Sequence, residues 1–271
     1  MRVDVYLAAA GYTQSRKKAQ DLIDAGVVKI DGITVKKSSL VINEAVEHDV
    51  VIEQPFLYVS RGGVKLEAAL NAFGVNVNHK KALDVGASTG GFTDCLLKRG
   101  AKEVYAIDAG IDQLHESLRN DKRVHSIEHF NARELNPDVT NGACDIAVAD
   151  VSFISQTYII AQIASCLSDG ASFISLIKPQ FEAGRAALGK NGVVTNSAYR
   201  FLAAKRVISF AVDNGFDCIG LIRSPIEGGD GNREFLAYFI NQPHAGDGVT
   251  EARIAEVTRS HRARKGENAG C

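Results

Sequence analysis

Leu83-Asp84-Val85-Gly86-Ala87-Ser88-Thr89-Gly90-Gly91-Phe92 is the stretch that decides how this chain folds. Ala82-Leu83-Asp84-Val85 reads as a buried strand. Gly86, Gly90 and Gly91 permit a tight turn and a close approach of backbone to a ligand. Phe92-Thr93-Asp94-Cys95-Leu96-Leu97 opens an amphipathic helix, whose free N–H groups and positive dipole end face the turn. A strand, a glycine turn and a helix in that order read as a nucleotide-type cofactor site.

Outward from this point the pattern alternates. Strands are expected at 82–85, 103–107, 124–128, 145–149, 172–177, 217–223 and 234–240. Helices are expected at 91–98, 111–119, 154–167 and 198–214, with a further helix at 66–73 in front. Such alternation specifies an α/β fold, a mostly parallel sheet covered on both faces. Ligands then bind at the carboxyl ends of the strands. The last two strands lack a helix between them and are expected to pair antiparallel at one edge.

The glycine turn is neither the Gly-x-Gly-x-x-Gly of dinucleotide sites nor a P-loop, since no Lys-Ser/Thr follows. Asp84 precedes its first glycine, and Asp108 closes the next strand, Val104-Tyr105-Ala106-Ile107. That spacing suits a carboxylate accepting from ribose hydroxyls. Asn131-Ala132 follows the third strand, where an adenine edge could be bonded. The whole arrangement resembles a class I S-adenosylmethionine methyltransferase, with a Rossmann-like sheet. The resemblance implies S-adenosylmethionine as cofactor. It places Asp84, Gly86, Ala87, Ser88, Thr89, Gly90, Gly91 and Phe92 around the methionine and ribose, Asp108 on the ribose, Asn131 and Ala132 at the adenine, and Asp150 near the sulfonium.

The first fifty residues read differently. Val5, Leu7 and Ala8 belong to a short helix ending near Gly11. Ser15 is placed to cap a second helix, roughly 16–25, with Ala19, Leu22 and Ile23 on one face. Val27-Val28-Lys29-Ile30, Asp31-Gly32 and Ile33-Thr34-Val35 form a hairpin, and Asp49-Val50-Val51-Ile52 a last strand. Arg16, Lys17, Lys18, Lys29, Lys36 and Lys37 outnumber the acidic residues of 16–37, whereas 38–58 carries Glu44, Glu47, Asp49 and Glu53 with no lysine or arginine. One basic edge on a small α+β unit fits a phosphate-binding face. The order Arg2-Val3-Asp4, Leu7, Gly11, Ser15-Arg16, Ala19, Leu22-Ile23, Gly26-Val27-Val28, Asp31-Gly32, Val35 and Lys37 resembles the S4 RNA-binding domain. The resemblance puts those six basic residues on the RNA-contacting face.

Asp150 ends the fourth strand and Lys178 the fifth, so the strand pattern alone brings both to the functional end. Lys65 follows Arg61-Gly62-Gly63 at a loop-to-helix edge, and Glu234 opens the last strand. The order Lys65, Asp150, Lys178, Glu234 resembles the ribose 2′-O-methyltransferases of the FtsJ/RrmJ type. It implies Lys178 beside the 2′-oxygen as base or alkoxide stabiliser, with Lys65, Asp150 and Glu234 orienting and tuning it. Asp150-Val151-Ser152-Phe153 is not the Asn-Pro-Pro-Tyr-like text of base N-methyltransferases, and no Cys follows a Pro as in the cytosine-C5 type.

These motifs, together with Val59-Ser60-Arg61-Gly62-Gly63, Lys178-Pro179-Gln180-Phe181-Glu182 and Ser224-Pro225-Ile226-x-Gly228, identify the chain as similar to the TlyA family, bacterial and often called hemolysins. That resemblance implies methylation of cytidine riboses in 23S and in some cases 16S ribosomal RNA, ribosomal subunits as partners, and RNA contacts that include Arg61. Phe56-Leu57-Tyr58 stands where some members carry Arg-x-Trp. The expected organisation is an S4-like domain at 1–54, a linker at 55–60, an FtsJ-like domain at 61–242 and a basic tail at 243–271. The glycine-rich segment 181–195, with Arg185 and Lys190, is expected to be a substrate loop or a plain surface connection.

Composition sets outer bounds. The chain has 271 residues and a net charge of −1, so any RNA-binding face must be local. Cys95, Cys144, Cys166, Cys218 and Cys271 show no paired spacing, which predicts no metal and fits a reducing cytoplasm. No apolar run approaches the ~18 residues of a membrane span, so a membrane-active protein is the disfavoured alternative. A non-catalytic RNA-binding assembly factor is the other.

Overall fold

The computed structural model describes residues 1–24, 26–52, 57–189, 191–242 and 248–259. The chain divides into two compact units, Met1–Leu57 and Tyr58–Cys271.

In the first unit, helices α1 (Val3–Ala9) and α2 (Arg16–Asp24) pack on a three-stranded antiparallel sheet. Its strands β1 (Val28–Ile30), β2 (Ile33–Thr34) and β3 (Val50–Ile52) run in the order β2-β1-β3. Ser15 caps α2 as expected, its hydroxyl accepting from the Lys18 amide at 3.1 Å. The hairpin turns on Asp31 and Gly32, both in the left-handed region (φ 52° and 77°). Val3, Leu7, Ala19, Leu22, Ile23, Val28, Ile30 and Val35 form the core.

The second unit opens with α3 (Arg61–Phe73), β4 (Lys81–Val85), α4 (Gly91–Lys98), β5 (Glu103–Ile107), α5 (Glu116–Arg119), β6 (Val124–Ile127) and β7 (Cys144–Ala149). Then come α6 (Ile160–Ser165), β8 (Leu167–Ile177), α7 (Pro179–Glu182), α8 (Ser197–Asp213), β9 (Phe216–Arg223), β10 (Phe235–Asn241) and α9 (Glu251–Thr258). Seven strands form one sheet in the order β6-β5-β4-β7-β8-β10-β9. The first five are parallel; β10 is antiparallel to both β8 and β9, inserted between them. Alternate residues along each strand face opposite layers. Leu83, Val85, Tyr105, Ile107, Ala147 and Phe173 pack with α6 and α8. Ala82, Val104, Ala106, Ile146, Val148 and Leu176 pack with α3 and α4.

Three expected helices differ from those observed. The helix expected at 66–73 begins at Arg61. Gly63 lies inside it because no side chain fits there: a Cβ would overlap the Tyr58 ring. The helix expected at 111–119 is only α5, because Glu128 takes the amides of Asp112 (2.6 Å) and Leu114 (3.4 Å) out of any helical ladder. The stretch expected as one helix at 154–167 splits into a 3-10 turn, Gln156–Tyr158, and α6. The expected linker falls partly, and the expected basic tail mostly, outside the described residues, as does Lys190.

Candidate active site

The glycine turn sits at the carboxyl end of β4, tied to the end of β5 by the amides of Gly86 and Ala87, which both donate to the Ile107 carbonyl (2.8 and 3.1 Å). Gly86 and Gly90 have φ of 84° and 91°, so the turn needs glycine at both. A Cβ on Gly86 would lie 2.7 Å from the Asp150 carbonyl oxygen. Gly91 is needed for another reason: a Cβ there would meet Ser60 Oγ and the Gly63 amide, where α3 crosses close to α4.

Beside the turn is a cavity of about 500 Å³ whose lining includes Gly86, Ser88, Asp108, Asn131, Ala132 and Asp150. The other residues expected around a cofactor, Asp84, Ala87, Thr89, Gly90, Gly91 and Phe92, are not on its wall. Phe92 is part of the core between α4 and its neighbours. Asp84 is fully buried, where Thr93 Oγ1 donates to its Oδ2 at 2.6 Å and its Oδ1 has no hydrogen-bond partner. Burial pushes its carboxyl up to about 7, aided by the charges of Asp150 and Asp108 and opposed by the Thr93 hydroxyl. The Asp108 carboxylate bridges two loops, accepting from the Ser88 amide at 2.8 Å and the Gly110 amide at 2.7 Å. Each oxygen retains lone-pair capacity toward the cavity.

Two lysine–carboxylate pairs follow, one of them sharing Asp150 with the cavity lining. Lys178 Nζ lies 2.6 Å from Asp150 Oδ1 and donates to Ser152 Oγ at 2.8 Å. The Lys178 ammonium thus contacts both a carboxylate and a hydroxyl. Lys65 Nζ donates to Glu234 Oε2 at 2.5 Å, both side chains nearly excluded from solvent (10% and 2% exposed). The β8–β10 register pairs Ile177 with Phe235, the residues next to Lys178 and Glu234. Lys65 reaches Glu234 from α3, which packs beneath β10. Three strand ends and one helix therefore supply the four residues.

Sequence reading did not single out Ser152, the conformation of Phe153, or Gln113, which lines the cavity and accepts from Ser88 Oγ at 3.2 Å. Ser152 carries no separate signal beyond its place two residues after Asp150. Phe153 has φ of 64° and a ring that is 92% exposed, 5.2 Å from the Phe181 ring. A left-handed non-glycine residue in a loop after β7 marks a strained position at the site.

The residues expected to contact RNA have varied settings. Arg16 Nε donates to Asp4 Oδ2 at 2.9 Å, joined there by Arg2 and Gln20 (3.0 and 2.7 Å). Burial alone would raise the Asp4 carboxyl, but the Arg2, Gln20 and Arg16 side chains hold it well below the usual carboxylate range. Arg16 is thus part of the domain's own framework. Lys17 pairs with Asp21 at 3.4 Å, and Lys36 and Lys37 are exposed. Arg61 opens α3, its guanidinium beside Gly229.

Known proteins match both units. The S4 domain matches residues 1–47, and the FtsJ-like methyltransferase matches residues 58–240. The 16S/23S rRNA (cytidine-2′-O)-methyltransferase TlyA of Mycobacterium tuberculosis is 41% identical over 241 residues, 89% of this chain and 90% of that one. This chain belongs to the TlyA family of FtsJ-like methyltransferases. Hemolysin A of Brachyspira hyodysenteriae, 47% identical, is covered over its whole length by 89% of this chain. The solved structure of a putative hemolysin from Streptococcus thermophilus has a TM-score of 0.76 at 42% identity, covering 95% of this chain and 94% of its own. Membership makes the chain a methyltransferase with an S4 domain in front. Among the described residues, no helix is long and apolar enough to cross a membrane, and no three His, Cys, Asp or Glu side chains cluster as metal ligands.

Proposed function

We propose that this protein transfers a methyl group from S-adenosylmethionine to a ribose 2′-hydroxyl of ribosomal RNA, a cytidine in the large or small subunit, in the cytoplasm. The observation that carries the reading is the Lys178–Asp150 pair at the rim of the glycine-turn cavity, with Lys65–Glu234 beside it.

The lining suits that cofactor. It is a cation, and Asp108 and Asp150 line the cavity while the orphaned Oδ1 of Asp84 lies buried behind it. Asp108 would hold the ribose, Asn131 and Ala132 the adenine, Gly86 and Ser88 the methionine end. When bound, S-adenosylmethionine supplies an activated methyl on a sulfonium.

The rest is work for the chain's own residues. A ribose hydroxyl is a weak nucleophile that must be aligned and stabilised as its proton leaves. Lys178 offers three N–H donors; Ser152 engages one, Asp150 supplies the counter-charge, and donor capacity remains for the 2′-oxygen. In this arrangement Lys178 stabilises negative charge on the attacking oxygen; to serve as base it would first pass a proton to Asp150. Lys65 and Glu234, paired with each other, would orient and tune that lysine. The S4 domain would bring the RNA, with Lys17, Lys18, Lys29, Lys36 and Lys37 as phosphate contacts.

The test is incubation with methyl-labelled S-adenosylmethionine and separated ribosomal subunits, then mapping of the modified nucleotide. Label on a ribose that falls to a small residual rate in Lys178→Ala is the expected result. RNA binding without transfer would favour an assembly factor and overturn the reading.

A further inference from the structure

We propose that Glu182, outside the set Lys65, Asp150, Lys178 and Glu234, is the positioning residue that holds the Asp150–Ser152 segment against Lys178. The inference rests on the methyl-transfer reading above and adds a residue to it.

Two segments leave the sheet side by side: 150–156 after β7 and 178–182 after β8. Lys178 joins them at one end through Asp150 and Ser152. Glu182 joins them at the other. Its Oε2 accepts from Ser155 Oγ at 2.6 Å and its Oε1 from the Gln156 amide at 2.8 Å. Gln156 is anchored in turn to β8, donating from Nε2 to the Leu176 carbonyl at 2.6 Å and accepting from Ser175 Oγ. The single turn of α7 fixes Glu182 relative to Lys178, the Phe181 amide donating to the Lys178 carbonyl at 3.0 Å. The two segments therefore close into a ring, with an open contact at the chemistry and a buried one at the far side.

The chemistry of the far contact requires a carboxylate. Glu182 is 3% exposed; Arg206 donates to its main-chain oxygen at 3.2 Å and offers the carboxylate charge alone. A carboxyl placed there is costly unless its oxygens are satisfied. It is retained because both oxygens accept, one from a hydroxyl and one from an amide. A glutamine would point an NH₂ at one of two donors or force the serine to reverse its hydrogen bond. Burial raises the Glu182 carboxyl above its ordinary range, with Ser155 and Gln156 opposing. A buried acid whose bonds converge on one loop, and whose own segment begins with Lys178, controls where Asp150 and Ser152 stand.

The experiment compares the full-length protein with Glu182→Ala, Glu182→Gln, Lys178→Ala and the Lys178→Ala/Glu182→Ala double variant. Amide hydrogen exchange reads the clamp directly. In Glu182→Ala, exchange across 150–158 should rise at least about tenfold while β4, β5 and β6 keep their protection. Because Asp150 lines the cavity, the dissociation constant for S-adenosylmethionine should rise about tenfold by calorimetry. With subunits as substrate, Glu182→Ala should lower kcat about tenfold or more with KM for RNA within about twofold, and Glu182→Gln should fall between. The double variant should be no slower than Lys178→Ala alone, since the clamp acts through that lysine. Unchanged exchange at 150–158, or a double variant slower by the product of the single effects, overturns the proposal. If the unsubstituted protein transfers no methyl, the function above falls, while exchange and cofactor affinity still decide whether Glu182 holds the loop.

Discussion

Lys65 and Glu234 meet at 2.5 Å although 169 residues separate them in the chain, and both are withdrawn from water. Removing one partner of a buried pair strands the other's charge, at about 3–5 kcal/mol. Glu234→Ala should therefore lower unfolding free energy by about that amount and abolish methyl transfer. Lys65→Met/Glu234→Leu, which removes both charges, should recover most of the stability and none of the activity. Urea denaturation beside a transfer assay separates the two roles. An active double variant would show the pair to be structural only.

Asp84 gives the protein a pH-dependent stability of known sign. Its carboxyl is raised from 3.8 to about 7 by burial, with Asp150 and Asp108 adding to the rise. The folded state therefore binds the extra proton between those values. Its contribution is fully present below the unfolded pKa and is lost as pH rises through about 7, at up to about 1.4 kcal/mol per pH unit. Asp84→Asn should flatten that part of the curve, so that the variant gains on the parent between about pH 4 and about pH 7. Parallel urea midpoints for the two proteins across that range would contradict the assignment.

Gly86→Ala should damage the cofactor cavity more than the fold. A φ of 84° costs a non-glycine residue about 1–2 kcal/mol. The new Cβ, 2.7 Å from the Asp150 carbonyl oxygen, must also push the Asp150 backbone away. Calorimetric titration with S-adenosylmethionine should show affinity reduced by at least about tenfold, the change produced by about 1.4 kcal/mol.

The basic residues of the S4 domain should separate into two classes. Arg16→Glu removes a hydrogen bond to buried Asp4, which should cost about 1–2 kcal/mol once discounted for a half-exposed donor. Lys36→Glu and Lys37→Glu, both exposed, should leave the thermal transition unchanged. If each lysine contacts a phosphate of double-stranded RNA, each loss should flatten the log–log salt dependence of binding by about 0.9, taking the duplex value as a guide. Binding at several salt concentrations, paired with thermal melts, distinguishes the classes.

The sheet was legible because most of its strands are apolar runs, a local signal, and β4, β5 and β7 are each ended by glycine or aspartate. The two strand-end residues Asp150 and Lys178 followed from that pattern. Their partners Lys65 and Glu234 did not, because their contact depends on β10 inserting between β8 and β9, which no local periodicity records. The glycines before Lys65 read as a loop because glycine disfavours helix interiors; at Gly63 the tertiary demand for a bare surface against Tyr58 overrides that preference. The helix expected at 111–119 fails for a similar reason, since Glu128 captures its amides from a strand away. Ser15, Asp31-Gly32 and the face formed by Ala19, Leu22 and Ile23 were readable because capping, turn and helix-face signals each lie within a few residues.

The insertion of β10 against the direction of its neighbours has an evolutionary corollary. The cofactor cavity is built from the carboxyl ends of parallel strands, but Glu234 comes from the amino end of a reversed one, reached through the 224–234 hairpin connection. That connection can lengthen, shorten or change composition without altering β4, β5 or the turn at Gly86. Selection for a new nucleotide could thus act on one hairpin while methyl-donor recognition stays constant.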